Sequence, residues 1–374
     1  MEIRSLFVPP IRKSLAVAVA GLLSLTGTGV WAQVVTPQVP APVVVPAVAA
    51  PPPAGSLSAA DIVRANRDNL VFVQGSNGAG SGFIAHFGQG NYLFTNAHVA
   101  AEVKGAAFKT LDGREVKLGG AYVAVGHDIF SMATTPGGKP LEIMTQVDQN
   151  ASIDDDVVVL GNAEGGGVIN TIKGKIVGVG PDLVEVDAPF VPGNSGSPII
   201  HVKTGKVIGV ATYLTVAQYD PATHQRIRDP RIRRFGYRLD SVKTWQPVTW
   251  NSFFAQADEM QTIEKLTEDL AKVLMDLARN HKITPSLHTN PAIKQQLDWW
   301  MSSNRQDTLT SRDSTTADQN FIAGLKNLST ADILAARRNL TYDYFRRGLD
   351  EQQKQRKAIN DVFDEILQEM RKAR

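Results

Sequence analysis

The chain has 374 residues, 43% of them hydrophobic and 20% charged, enough to bury a sizeable core and form two or three domains. Its 39 Lys and Arg against 37 Asp and Glu leave a net charge of +2, and no basic run is interleaved with aromatics, so no nucleic-acid partner is expected. Cysteine is absent, which removes disulfides, thiolate nucleophiles and cysteine metal sites; no histidine pair has zinc-ligand spacing beside an acid, so neither metal nor other cofactor is expected.

The amino terminus has the pattern of an export signal. Arg4, Arg12 and Lys13 precede an apolar stretch from Leu15 to Leu25, shorter than the roughly 20 residues that a membrane span takes. Val30-Trp31-Ala32 places small residues where a signal peptidase reads, which predicts cleavage after Ala32 and a periplasmic or secreted protein. An uncleaved membrane anchor is the other reading of residues 1–32. Residues 33–56 are almost entirely Pro, Ala and Val, without charge, and read as a stiff extended spacer.

From residue 57 to 248 the pattern changes to short β-type runs separated by glycine turns. The expected strands include Leu70–Gln74, Gly82–Phe87, Tyr92–Thr95, Val157–Leu160, Ile172–Val179, Leu183–Val186, Ser197–Val202 and Val207–Leu214. Many short strands between turn residues predict an all-β barrel or sandwich.

Residues 249–374 nearly lose glycine and read as an α-helical C-terminal region. Ile263, Leu266, Leu270, Val273 and Leu277 follow 3-4-3-4 spacing, an apolar seam of coiled-coil type. Asn290-Pro291 reads as a helix cap and first turn, and Ser329 with Asp332 as a capping box opening another helix. Ile359, Phe363, Ile366 and Met370 form a further stripe at helical spacing, and Trp299 and Trp300 are expected in a core. A small helical bundle accounts for these stripes; self-association through the same region is the sharper alternative.

Attack on a peptide carbonyl needs a nucleophilic oxygen, a base, a group that orients the base, and donors for the oxyanion. The β region holds a candidate for each. In Pro192-Gly193-Asn194-Ser195-Gly196-Ser197-Pro198, Ser195 can sit exposed on a tight turn, with the backbone N–H groups of Gly193 and Ser195 as donors. In Leu93-Phe94-Thr95-Asn96-Ala97-His98-Val99, a β run feeds a short turn that carries His98, a setting that His86, His127 and His201 lack. In Gly126-His127-Asp128-Ile129-Phe130, Asp128 stands beside residues destined for a core and can hold an imidazole in one tautomer; Asp112 and the run Asp154 to Asp156 are its competitors. Each motif alone is also what an ordinary turn looks like. The order His, Asp, Ser, with gaps of about 30 and 70 residues, fits two successive β barrels meeting at a cleft.

As an ordered set, Gly80-Ser81-Gly82-Phe83-Ile84, Thr95-Asn96-Ala97-His98-Val99, His127-Asp128-Ile129, Gly193-Asn194-Ser195-Gly196 and Val207-Ile208-Gly209-Val210 resemble the chymotrypsin-like fold. Within it they are most similar to the bacterial HtrA/DegP-related, trypsin-like serine peptidases. The resemblance runs from about Leu57 to Leu239. It implies an all-β two-barrel protease domain before the helical region. It also implies His98 as base, Asp128 as orienting acid, Ser195 as nucleophile, and the N–H groups of Gly193 and Ser195 as oxyanion hole.

Three features depart from relatives. Ser197 stands where a second glycine is usual. Asn194 replaces the aspartate that in animal relatives pairs with a freed amino terminus, so activation by trimming is not expected. No glycine-flanked peptide-binding loop of PDZ type follows the protease region.

By the same resemblance the specificity pocket lies between Ala188–Pro192 and Val210–Tyr213, lined by Phe190, Ala211, Thr212 and Tyr213. Neither segment holds an acid for a substrate Lys or Arg, and the histidine with which glutamyl endopeptidases read glutamate is replaced by Ala211. Small or medium aliphatic residues are therefore expected before the scissile bond of protein or peptide substrates. A non-catalytic protease-like module that binds extended peptides is the competing reading of the whole.

Overall fold

The computed structural model describes residues 58–75, 78–163, 166–216, 228, 232–280, 290–304 and 316–372. The signal and spacer expectations lie outside these residues. Among the described residues no helix is long and apolar enough to cross a membrane. The chain divides into a β-rich unit, which runs to Val216 and resumes as far as Trp250, and a helical unit from Asn251 onward.

The β-rich unit opens with α1 (Ala59–Asn66), started by the Ser58 hydroxyl accepting from the Asp61 N–H. Eight strands form its first sheet: β1 (Leu70–Gln74), β2 (Ala79–Phe87), β3 (Gly90–Thr95), β4 (Ala107–Thr110), β5 (Leu118–Ala124), β6 (Phe130–Thr134), β7 (Leu141–Glu142) and β14 (Trp245–Val248). Two short helices, α2 (Ala97–Glu102) and α3 (Val147–Asn150), interrupt the strands. The remaining strands are β8 (Asp156–Gly161), β9 (Asn170–Val179), β10 (Leu183–Val186), β11 (Pro198–His201), β12 (Lys206–Val216) and β13 (Ile232–Tyr237), which close into a six-stranded barrel in the order β10-β13-β12-β11-β8-β9.

Of the two barrels expected, this second one is closed. The first sheet runs as an open path, β14-β5-β6-β3-β2-β1-β4, with β7 beside β2. Its outer strand β14 contains Pro247, opposite Tyr122, where a missing N–H is tolerated because no further strand needs it.

The core explains the uninterrupted apolar runs. Side chains alternate across a strand. In β8, Val157 and Val159 point into the closed barrel with Ile176, Val184, Ile199 and Ala211. Val158 and Leu160 point the other way, into a core shared with Phe83, Phe94 and Leu70 of the first sheet. Ile199 and Ile200 of β11 split in the same manner. Strands buried on both faces carry no polar alternation.

The helical unit is built from α4 (Trp250–Asn280), α5 (Pro291–Asn304), α6 (Thr316–Asn339) and α7 (Asp343–Lys372). The seam residues Leu266, Leu270, Val273 and Leu277 are buried against Ile293, Leu297 and Trp300, Phe321 and Leu325, and Ile359 and Phe363. This chain's own helices therefore cover the seam. Met370 falls outside the described side chains. Asn290 caps α5, its Oδ1 accepting the Ala292 N–H at 3.0 Å. Trp300 is buried, stacks on Phe321 at 4.8 Å and donates to Asp318 at 2.7 Å, whereas Trp299 is 43% exposed.

Ser329 and Asp332 do not form the expected capping box, because both lie inside α6. Ser329 donates to the Lys326 carbonyl one turn back, and Asp332 pairs with Arg356 of α7. Arg356 is 2% exposed and also donates to Thr267 Oγ1 at 2.8 Å, the Ile263 carbonyl at 2.7 Å and the Ser329 carbonyl at 3.2 Å. One guanidinium thus joins α4, α6 and α7. Arg356→Ala is expected to destabilise the helical unit by about 2–3 kcal/mol, short of a pair buried on both sides because Asp332 is 32% exposed. Urea unfolding followed by circular dichroism measures it, and an unchanged midpoint contradicts it.

Candidate active site

Strand register brings the candidate base and acid together. Thr95, the last residue of β3, pairs with Phe130, the first of β6. The residues just after Thr95 therefore leave the sheet beside the β5–β6 loop that carries Asp128. Ile129 and Phe130 are fully buried and pin that loop. His98 sits in the first turn of the helix α2 rather than on the plain turn expected.

Asn96, at the cap position of α2, makes no side-chain capping bond. Asp128 supplies it instead: the backbone N–H of His98 donates to Asp128 Oδ1 at 3.0 Å, and the ring Nδ1 faces Oδ2 at 2.6 Å. A carboxylate only accepts, so Nδ1 carries the hydrogen and Nε2 keeps its lone pair. The two side chains are 22% and 14% exposed, so solvent screens the pair little.

Burial pulls the His98 pKa down, but the charge and hydrogen bond of Asp128, with Glu102 behind them, outweigh it and hold the imidazole above its ordinary value. Burial pushes Asp128 up, and the charge and hydrogen bonds of His98, with the Ala97 backbone, hold its carboxyl below the usual range.

The Asn96 amide is used elsewhere. Its Nδ2 donates to the Asp128 carbonyl at 2.8 Å and to Thr212 Oγ1 at 3.0 Å, so it joins the acid loop of the first sheet to β12 of the barrel. Thr212 sits at the register shift between Ala211 and Tyr213, and its carbonyl accepts the Ser195 hydroxyl over a long 3.4 Å. Asn96 and Thr212 thus connect the Asp128 carbonyl to the Ser195 hydroxyl; among the described residues no hydrogen bond joins that hydroxyl to the His98 ring.

The loop before Ser195 is a tight turn. The Asn194 N–H donates to the Val191 carbonyl at 3.0 Å, and the Asn194 Oδ1 accepts the Val191 N–H at 3.0 Å. Gly193 takes φ +89°, a conformation that side-chain-bearing residues rarely adopt. Gly196 takes φ +87°, and a Cβ there would lie 2.0 Å from the Ser81 carbonyl oxygen. Ser195 is 8% exposed. Among the described residues neither the Gly193 N–H nor the Ser195 N–H has a hydrogen-bond partner.

Of the expected pocket residues, Phe190 precedes this loop, the Ala211 carbonyl accepts the Gly196 N–H at 2.9 Å, and the Thr212 carbonyl accepts the Ser195 hydroxyl. Phe190 and Ala211 are buried and belong to the barrel's apolar interior, and Arg234 Nε donates to the Phe190 carbonyl at 2.9 Å. Tyr213 stacks on Phe235 at 5.1 Å, and burial pushes its phenol up to about 12.

The competing residues have other partners. His127 binds the Val125 carbonyl and Ser241, His201 faces Thr204 and Asp155, exposed His86 meets Asn91, and Asp112 meets Thr110 and Arg114. Among the described residues no cluster of three or more His, Asp or Glu could hold a metal ion. Asn96, adjacent to Ala97-His98, and Ser81, in Gly80-Ser81-Gly82, have no local pattern that signals their bonds, because their partners are distant in sequence.

A family model described as a trypsin-like peptidase domain matches residues 80–210. A candidate mitochondrial protease of Arabidopsis thaliana, Do-like 3, is 32% identical over 177 residues, which are 43% of this chain and 30% of that one. The chain thus spans less than a third of the curated relative's length. Among solved structures, a serine endoprotease from Yersinia pestis aligns with 49% of this chain and 62% of its own, at 21% identity and TM-score 0.36. The HtrA-type protease AlgW, with a tripeptide, aligns with 50% and 61%, at 22% identity and TM-score 0.37. Between Gly80 and Val210, the stretch that holds His98, Asp128 and Ser195, this chain carries a trypsin-like peptidase domain with a Do-like relative.

Proposed function

We propose that this chain is an exported serine endopeptidase in which His98, Asp128 and Ser195 act as the catalytic triad. The observation that carries the reading is the double grip of Asp128 on His98, through backbone N–H and ring Nδ1, which leaves Nε2 as an acceptor. The first sheet takes the part of the other barrel and contributes His98 and Asp128; the closed barrel contributes Ser195.

In the proposed reaction the Ser195 hydroxyl leaves the Thr212 carbonyl, passes its proton to Nε2 of His98 and attacks the substrate carbonyl carbon. Asp128 stabilises the imidazolium that forms. The oxyanion is held by the N–H groups of Gly193 and Ser195, each such donor worth roughly 3 to 4 kcal/mol of barrier. His98 then protonates the departing amine, and water releases the acyl group from Ser195 by the same steps in reverse. Asn194 supports a turn that forms without a freed amino terminus, because its side chain closes on Val191. Export rests on the basic start and apolar stretch of residues 1–32, and aliphatic preference on the lack of any Asp or Glu in Ala188–Pro192 and Val210–Tyr213, with Ala211 in place of a glutamate-reading histidine.

Ser195→Ala is expected to lose nearly all hydrolysis of casein and all labelling by a fluorophosphonate. Asp128→Asn should fold and lose about 10⁴ in rate through the wrong imidazole tautomer. A folded wild type that takes no label at Ser195 and shows no turnover would instead favour a protease-like binding module.

Protonated His98 cannot accept the serine proton, and its pKa is raised. Activity should therefore climb with pH along an acidic limb whose midpoint lies above the ordinary histidine value of about 6.5. The kcat/KM profile reads this, and a midpoint near pH 5 contradicts it.

Peptide-library profiling should return Val, Ala, Leu or Ile before the scissile bond; dominance of Glu, Lys or Arg overturns the pocket and leaves the triad intact. Self-association through the helical region is tested by light scattering of the full chain, where a monomeric mass removes it.

A further inference from the structure

Ser81 lies on β2 between two glycines and is 1% exposed. All of its hydrogen-bonding groups are committed, and they converge on the nucleophile loop. Its backbone N–H donates to the Ser195 carbonyl at 2.8 Å. Its hydroxyl donates to the Gly193 carbonyl at 2.9 Å and accepts the Asn162 N–H at 2.8 Å. Its own carbonyl accepts Thr95 Oγ1 at 2.7 Å. Gly193 and Ser195 are the same two residues whose N–H groups have no partner among the described residues.

The direction of the hydroxyl is determined. It has one proton, and the Asn162 N–H already occupies a lone pair, so the proton goes to Gly193. Asn162 is 2% exposed and is held in turn by the Gly167 N–H, which donates to its Oδ1 at 2.7 Å. The two carbonyls that Ser81 holds lie in the peptide planes on either side of the Ser195 N–H, and the first of them joins the plane of the Gly193 N–H at a residue whose φ of +89° only glycine adopts readily, so holding them restrains both donors. We propose that Ser81 is a positioning residue that orients the oxyanion donors, a role that rests on the peptidase reading above.

The test uses the full chain and three substitutions. Ser81→Ala keeps the backbone bond to Ser195 and deletes the hydroxyl. Ser81→Cys keeps most of the volume with only a weak donor. Ser81→Thr keeps the hydroxyl. Four quantities are measured for each: kcat and KM on a chromogenic peptide, affinity for a peptide boronate that forms a tetrahedral adduct on Ser195, affinity for the cleaved product peptide, and the midpoint of the acidic limb.

For Ala and Cys, kcat should fall about 10- to 100-fold, less than deleting a donor outright. Boronate affinity should fall by a similar factor, while KM, product affinity and the acidic midpoint stay within twofold, because the His98–Asp128 pair is untouched. Thr should restore most of kcat. If Ala fails to fold, Cys and Thr carry the comparison. A folded Ala or Cys variant with wild-type kcat and boronate affinity, or a kcat loss without boronate loss, overturns the positioning role and leaves the peptidase reading standing. A wild-type chain that neither takes fluorophosphonate at Ser195 nor cleaves peptide overturns both.

Discussion

The carboxylate of Asp128 accepts twice from one residue, at the backbone N–H of His98 and at its ring. The first bond starts α2, because the local cap residue Asn96 has turned its amide away. The second determines which ring nitrogen carries the hydrogen. A single carboxylate, 14% exposed, therefore sets both the helix geometry and the tautomer of the imidazole. Moving Asp128 would disturb each. The position of Asp128 depends in turn on the pairing of Thr95 with Phe130 and on the buried side chains of Ile129 and Phe130.

Asn96 is free of its usual capping duty and so can reach across the β-rich unit. It bonds the Asp128 carbonyl on one side and Thr212 on the other, while Ser81 reaches from β2 to Gly193 and Ser195. Two short polar side chains thus tie the first sheet to the closed barrel at the site. Apolar packing between the sheets, through Phe83, Phe94, Val158 and Leu160, brings the surfaces together but has no directionality. The hydrogen bonds add the directionality that this packing lacks.

The helical unit uses a buried cation in a comparable way. Its seams supply most of the apolar burial, and Arg356 fixes how three helices meet by satisfying carbonyls and a carboxylate together. Removing Asp332 would leave the buried guanidinium short of its charged acceptor, which costs more than the net value of the bond itself.

Local patterns were enough to read much of this protein. Uninterrupted runs such as Val157–Leu160 and Val207–Leu214 are strands, and the 3-4-3-4 seam of α4 is buried, because burial periodicity is a local property of a chain. The ordered motifs around His98, Asp128 and Ser195 hold the residue types that the proposed chemistry needs, and of these the structure brings Asp128 directly onto His98. Strands β5, β13 and β14 were not legible: Gly119 and Gly120, Arg233 and Arg234, and Pro247 break the pattern, and only neighbouring strands make those segments regular. Ser329 and Asp332 satisfy a capping pattern, yet they lie mid-helix, where the Ser329 hydroxyl bonds the Lys326 carbonyl and Arg356, 24 residues beyond Asp332, takes the Asp332 carboxylate. The roles of Asn96 and Ser81 likewise depend on partners 116 and 112 residues away, Thr212 and Gly193. Sequence spacing identifies which groups can react. Only the closed barrel and the register of β3 with β6 decide which backbone groups those short side chains can reach.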